Sequence, residues 1–95
     1  MRLAELQQLA PQLHELLARH GASNPAVFGS VARDQATPSS DVDLLVDLPA
    51  GASLFDRAEL KSDLEDLLHA RVDLIRRRNL KPDLKATVEA DAIPL

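Results

Sequence analysis

Three aspartates, one arginine and a Gly-Ser step carry the chemistry open to this chain. Asp41 and Asp43 stand two residues apart at the head of the apolar run Leu44-Leu45-Val46. In a β-strand that spacing puts both carboxylates on one face. Two such charges repel, and Mg²⁺, with its preference for carboxylate and phosphate oxygens, is the natural partner to hold them together. Earlier in the chain, Gly29-Ser30 divides the apolar run Pro25-Ala26-Val27-Phe28 from a short helix expected from Ser30 to Arg33. The break leaves backbone N–H groups and a hydroxyl free to face an anion. Taken alone, Gly-Ser is an ordinary turn and Asp-x-Asp an ordinary solvated pair. Their order reads as the phosphate-binding and metal-binding ends of neighbouring strands. Arg33 can reach phosphate oxygens or pair with Asp34 or Asp41. Asp73 lies inside Arg71-Val72-Asp73-Leu74-Ile75. A buried acid in such a strand costs several kcal/mol unless it is metal-bound or paired, here with Arg71 or Arg76.

The elements that must position these groups follow from periodicity. Leu3, Leu6, Leu9, Leu13, Leu16 and Leu17 recur at helical spacing up to His20, with Pro11 dividing the segment and Gly21 closing it. His14 and His20 read as surface or boundary residues. Asp41 to Asp47 reads as the central strand, apolar on both faces. After a loop over Leu48–Ala52, Ser53 caps a helix carrying Leu54, Ala58, Leu60, Leu64, Leu67 and Leu68. A further strand runs from Arg71 to Ile75. Arg76-Arg77-Arg78 is a solvated strand end, or a face for phosphates or an acidic partner. Pro82 opens a last helix with Leu84, Ala86 and Val88 turned inward, and Ile93-Pro94-Leu95 packs on the sheet or on another chain. Helices alternating with strands give an α+β or α/β domain with a small mixed sheet.

The Gly29-Ser30 step, the ten-residue spacer and Asp41-Val42-Asp43 together resemble the DNA polymerase β-like nucleotidyltransferase superfamily. Within it, Gly29-Ser30-Val31-Ala32-Arg33 and Ser40-Asp41-Val42-Asp43-Leu44-Leu45-Val46 are most similar to the MNT-type antitoxins, short cytoplasmic partners of HEPN-domain toxins. The resemblance implies an α+β minimal nucleotidyltransferase fold, a small mixed β-sheet flanked by helices, as a single domain over 1–95. It implies catalytic and metal-binding roles for Asp41, Asp43 and Asp73, with Asp73 as the third acid that helps deprotonate an acceptor hydroxyl. Gly29, Ser30 and Arg33 become the nucleotide-binding group. Two Mg²⁺ ions and ATP as donor are implied, and so is adenylylation of a tyrosine on the HEPN protein, silencing its RNase activity. One departure is Asp34, where a glycine is expected after the arginine. It makes the loop less permissive at positive φ and brings a negative charge near the phosphate site.

Composition narrows the rest. The chain has 95 residues, no cysteine, two aromatic residues and a net charge of −4. Disulfide, thiolate and zinc-thiolate chemistry are excluded. The acidic balance and the lack of stacking platforms argue against a dedicated nucleic-acid binder. No apolar run is long enough to span a bilayer, and no signal peptide is expected at the N-terminus, which fits a cytoplasmic protein. Two other readings remain: a binding-only antitoxin with a relic metal site, and a nucleotidyltransferase for a small molecule or RNA. The second usually needs an added substrate domain, for which this length leaves no room.

Overall fold

The computed structural model describes residues 1–37 and 39–95, so Pro38 of the loop expected over 35–40 lies outside the described residues. The N-terminal segment is two helices, α1 (Leu3–Gln8) and α2 (Ala10–Arg19), joined at Leu9. Pro11 sits in the first turn of α2, where its missing N–H costs no intrahelical bond. At the other end Gly21 has φ +71°, and the N–H groups of Gly21 and Ala22 bond back to Ala18 O and Leu17 O at 3.1 and 2.9 Å. That pair of bonds is a Schellman cap.

Strand β1 (Ser23–Phe28) leads into the single turn α3 (Gly29–Ala32), and β2 spans Val42–Asp47. Helix α4 (Leu54–Leu68) then crosses to β3 (Val72–Arg76). Ser53 and Asp56 form a reciprocal cap at its start, with Asp56 N–H on Ser53 Oγ at 3.1 Å and Ser53 N–H on Asp56 Oδ2 at 2.9 Å. A short 3₁₀ turn (Arg77–Asn79) precedes α5 (Pro82–Asp91), and Ile93–Pro94 forms β4.

The sheet order is β3-β2-β1-β4. Strand β1 is antiparallel to β2 and to β4, whereas β2 and β3 run parallel across the α4 crossover. The C-terminal Ile93-Pro94-Leu95 therefore packs on the sheet, with Leu95 N–H on Pro25 O at 3.0 Å. Leu6, Leu13 and Leu17 of the first two helices and Leu60 and Leu64 of α4 are fully buried with Val27, Val42, Leu44, Val46 and Leu74 of the sheet. Each such side chain contributes about 1.5–3 kcal/mol of burial.

The helical stripe expected on α4 begins later than the sequence suggests. Leu60, Leu64 and Leu68 are buried, but Leu54 and Ala58 stand exposed, lining a hollow beside Asp73 and Leu74 of β3 rather than the core. On α5, Leu84 and Ala86 are exposed and Val88 is half-buried, so this helix is held by fewer apolar contacts than expected. The outer edge of β3 is covered by α4 itself. Val72 N–H donates to Glu65 Oε2 at 2.9 Å, and the Arg57 guanidinium donates to Leu74 O. Using these groups blunts an edge that would otherwise recruit another strand.

Candidate functional site

The antiparallel turn from β1 to β2 places the end of one strand beside the start of the other, and Phe28 is paired with Asp43. The parallel step to β3 then sets Asp73 opposite Asp43 in register. Three strand ends from distant parts of the chain thus bring Gly29, Asp43 and Asp73 to one edge. Asp41 lies just ahead of β2 and is exposed.

Gly29 makes the closest approach. Its φ is +72°, and an added Cβ would overlap the Asp43 carboxylate, whose Cγ lies 3.2 Å from that position. Only a residue without a side chain lets the turn pass so near the acid. Burial first, then the negative charges of Asp73 and Asp41, push the Asp43 carboxyl above its ordinary value, while Arg33 pulls it down. Asp43 therefore feels both of the other acids.

Their present arrangement is open. Among the described residues, no group of three His, Cys, Asp or Glu is placed to hold a single ion. Asp43 is half-buried at the strand head, whereas Asp41 and Asp73 are exposed. The exposure of Asp73 corrects the expectation of a buried acid in need of a partner. It pairs with neither Arg71 nor Arg76 among the described residues. The donor set is nonetheless hard, anionic and mutually repelling, which suits a divalent cation bound through carboxylate oxygens. The Gly29 cradle holds the central member in place for it.

Arg33 is where the expected ion pair needs correction. It pairs with Asp91 of α5, Nη1 to Oδ2 at 2.7 Å, rather than with Asp34 or Asp41. A second donation, from Nε to Gln35 Oε1 at 3.4 Å, is weaker. Its charge still reaches Asp43. No local pattern announces Asp91, because it reaches Arg33 only after β4 has docked on β1 and carried the end of α5 to α3. Asp34, at the position where a glycine was expected, does adopt φ +56°. Ser30 is half-buried at the start of α3, and its hydroxyl has no hydrogen bond among the described residues.

His14 and His20 are not part of this constellation. His14 Nε2 lies 2.7 Å from Leu95 O, and His20 Nε2 lies 2.9 Å from Asp63 Oδ2, so each ties one element to another.

With this geometry in place, residues 11–95 match the Nucleotidyltransferase domain family. The chain belongs to that family. This nucleotidyltransferase is 38% identical over 94 residues to the protein adenylyltransferase MntA of Thermococcus cleftensis, covering 98% of this chain and 95% of the relative. It superposes on a solved structure described as a minimal nucleotidyltransferase with a TM-score of 0.86 and 47% identity, covering 100% of this chain and 97% of the other. The same fold recurs, at 22% identity and a TM-score of 0.70, in the complex of a tri-AMPylated Shewanella oneidensis HEPN toxin with MNT antitoxin. That match covers 93% of this nucleotidyltransferase and 69% of the matched chain. The α+β fold with a small mixed sheet is therefore the one the motifs implied.

Proposed function

We propose that this nucleotidyltransferase is an antitoxin that transfers AMP from ATP to a tyrosine of a HEPN-domain RNase toxin, with Mg²⁺, and so neutralises it. The observation that carries the reading is the packing of Gly29 against Asp43 with Asp73 in register beside it. It is supported by the relative named protein adenylyltransferase and by the HEPN–MNT complex that shares the fold.

In this reading Asp41, Asp43 and Asp73 hold the metal, the exposed outer two turning toward the fixed central one. Mg²⁺ bound there would neutralise and polarise the phosphates of the donor. The first-turn N–H groups of α3 and the Ser30 hydroxyl hold the outer phosphates, and Arg33 exchanges Asp91 for a phosphate oxygen. Asp73 accepts the proton of the tyrosine hydroxyl as its oxygen bonds to the α-phosphorus and the bond to pyrophosphate breaks. The protein contributes mostly position and preset charge. The absence of a helix long and apolar enough to cross a membrane, among the described residues, is compatible with a cytoplasmic setting.

The test is the intact mass of the HEPN protein encoded beside this chain's gene after incubation with the nucleotidyltransferase and Mg-ATP. Adenylyl additions are expected, and they should vanish with an Asp41→Ala/Asp43→Ala variant of unchanged melting curve. A toxin that stays unmodified in a tight complex would replace this reading with the binding-only antitoxin. Neither modification nor complex would redirect attention to small-molecule acceptors.

A further inference from the structure

Three adjoining hollows run along β3 and the turn after it, the last two also lined by α4. The first, of about 320 Å³, is bounded by Arg76, Arg77, Arg78 and Lys85, with Asp47 among them. A second, of about 130 Å³, shares Leu48 and Arg76 with the first and adds Leu54 and Arg57. The third, of about 300 Å³, shares Leu54 and Arg57 with the second, adds Lys61, and ends at Asp73. Together they make one channel leading to the third acid of the candidate site.

Its charge runs against that of the chain. Six of the eleven Lys and Arg residues line it, facing only the carboxylates of Asp47 and Asp73, although the net charge is −4. Of the six, Arg77 is neutralised by Asp47 at 2.7 Å, and Arg57 is committed to Leu74 O. Lys61, Arg78 and Lys85 make no hydrogen bond or ion pair among the described residues, and Arg76 Nε is buried without a partner. The other flank of α4 is the reverse, with Asp56, Glu59 and Asp63 beside α2. An apolar feature stands in the middle of the channel: Leu54 is 81% exposed on its wall.

We propose that this channel docks an acidic segment of the acceptor protein and delivers its hydroxyl to Asp73. The proposal rests on the reading of this chain as a protein adenylyltransferase and names the surface by which it chooses its acceptor. Charge complementarity selects the segment and speeds encounter, and Leu54 supplies the apolar anchor that a peptide side chain can cover. Strand addition is not the mode, because Glu65 and Arg57 already occupy the outer edge of β3. A nucleic-acid strand fits less well, since no aromatic ring lines the channel to stack a base.

The experiment measures, by titration calorimetry, the affinity of the same HEPN protein for the wild-type chain, for Lys61→Glu/Arg78→Glu/Lys85→Glu, and for Leu54→Ser. A short single-stranded RNA is the second probe, and intact mass is read on the same samples. The triple variant should weaken the protein complex by about tenfold or more, and the wild-type affinity should fall with added salt. Leu54→Ser should weaken it severalfold, and ATP affinity and melting should stay unchanged in both variants. An affinity unaltered by the triple variant overturns the channel while adenylyl transfer by the wild type still stands. RNA bound more tightly than the protein, and lost in the triple variant, overturns it in favour of a nucleic-acid groove. A complex that depends on these residues but yields no added mass upholds the docking surface and fails the transfer. With no complex at all, both fall.

Discussion

Gly29→Ala tests the closest packing in the candidate site. The substitution asks an L-residue to hold φ +72°, which costs about 1–2 kcal/mol. Its new methyl also overlaps the Asp43 carboxylate, so the turn must open or the carboxylate must rotate out. Rotation is the cheaper response, because Asp43 is already penalised by burial and by Asp73 and Asp41, and moving toward water relieves part of that. The loss of stability should therefore sit near the backbone strain alone, a fall in Tm of about 4–16 °C at roughly 4–8 °C per kcal/mol for a domain of this size. Activity should fall much further, since displacing a positioned group by about 1 Å can cost about a hundredfold. The assays are a circular-dichroism melt and kcat/KM for adenylyl transfer, read by mass. An unchanged Tm would refute the claim that the turn requires a glycine. A lowered Tm with kcat/KM within about twofold of wild type would refute the claim that Asp43 works from this position.

Three further outcomes follow from the same geometry. Asp43→Asn should raise Tm at neutral pH in the absence of metal. A carboxylate whose folded pKa is raised costs stability once ionised, and millimolar Mg²⁺ should stabilise the wild type but not the variant; equal Mg²⁺ shifts in both would remove Asp43 from the metal site. Asp47 is held below its ordinary value by the Asn24 side-chain hydrogen bond and then by Arg77, both at 2.7 Å. Its contribution is present above the unfolded value of 3.8 and is lost as pH falls through the folded one, so Asp47→Asn should cost about 0.2–1 kcal/mol at pH 7 and almost nothing at the acid limit of a pH series of melts. Asp34→Gly relieves strain at φ +56° but loses about as much again, roughly 0.5–1 kcal/mol, to unfolded-chain entropy. Its Tm should hardly move, while calorimetry should show ATP affinity rising a few-fold as a negative charge leaves the phosphate site; a fall in affinity would mean that Asp34 is part of the site.

Much of this protein follows from local rules that act within a few residues. Helical spacing of leucines, Pro11 in a first turn, Gly21 at a helix end, the Ser53 cap and the apolar run after Asp43 all depend on near neighbours, and all were legible. The Gly29-Ser30 and Asp41-x-Asp43 pair was legible for the same reason, as two short patterns in a telling order. What the sequence could not settle was which distant elements would meet. Asp73 reads as a buried acid when only its apolar neighbours are seen, yet on the edge strand it is exposed and in register with Asp43. Leu54 reads as core by spacing, but it lines the open hollow beside Asp73 and Leu74 of β3 and is left in solvent. Arg33 finds Asp91, a residue 58 positions away, only because β4 closes on β1. The basic channel likewise exists only once α4, β3 and α5 are assembled, since Lys61, Arg78 and Lys85 share no motif. Periodicity and turn chemistry act along the chain, whereas partners, exposure and fields depend on distances through space, and those were decided by strand order.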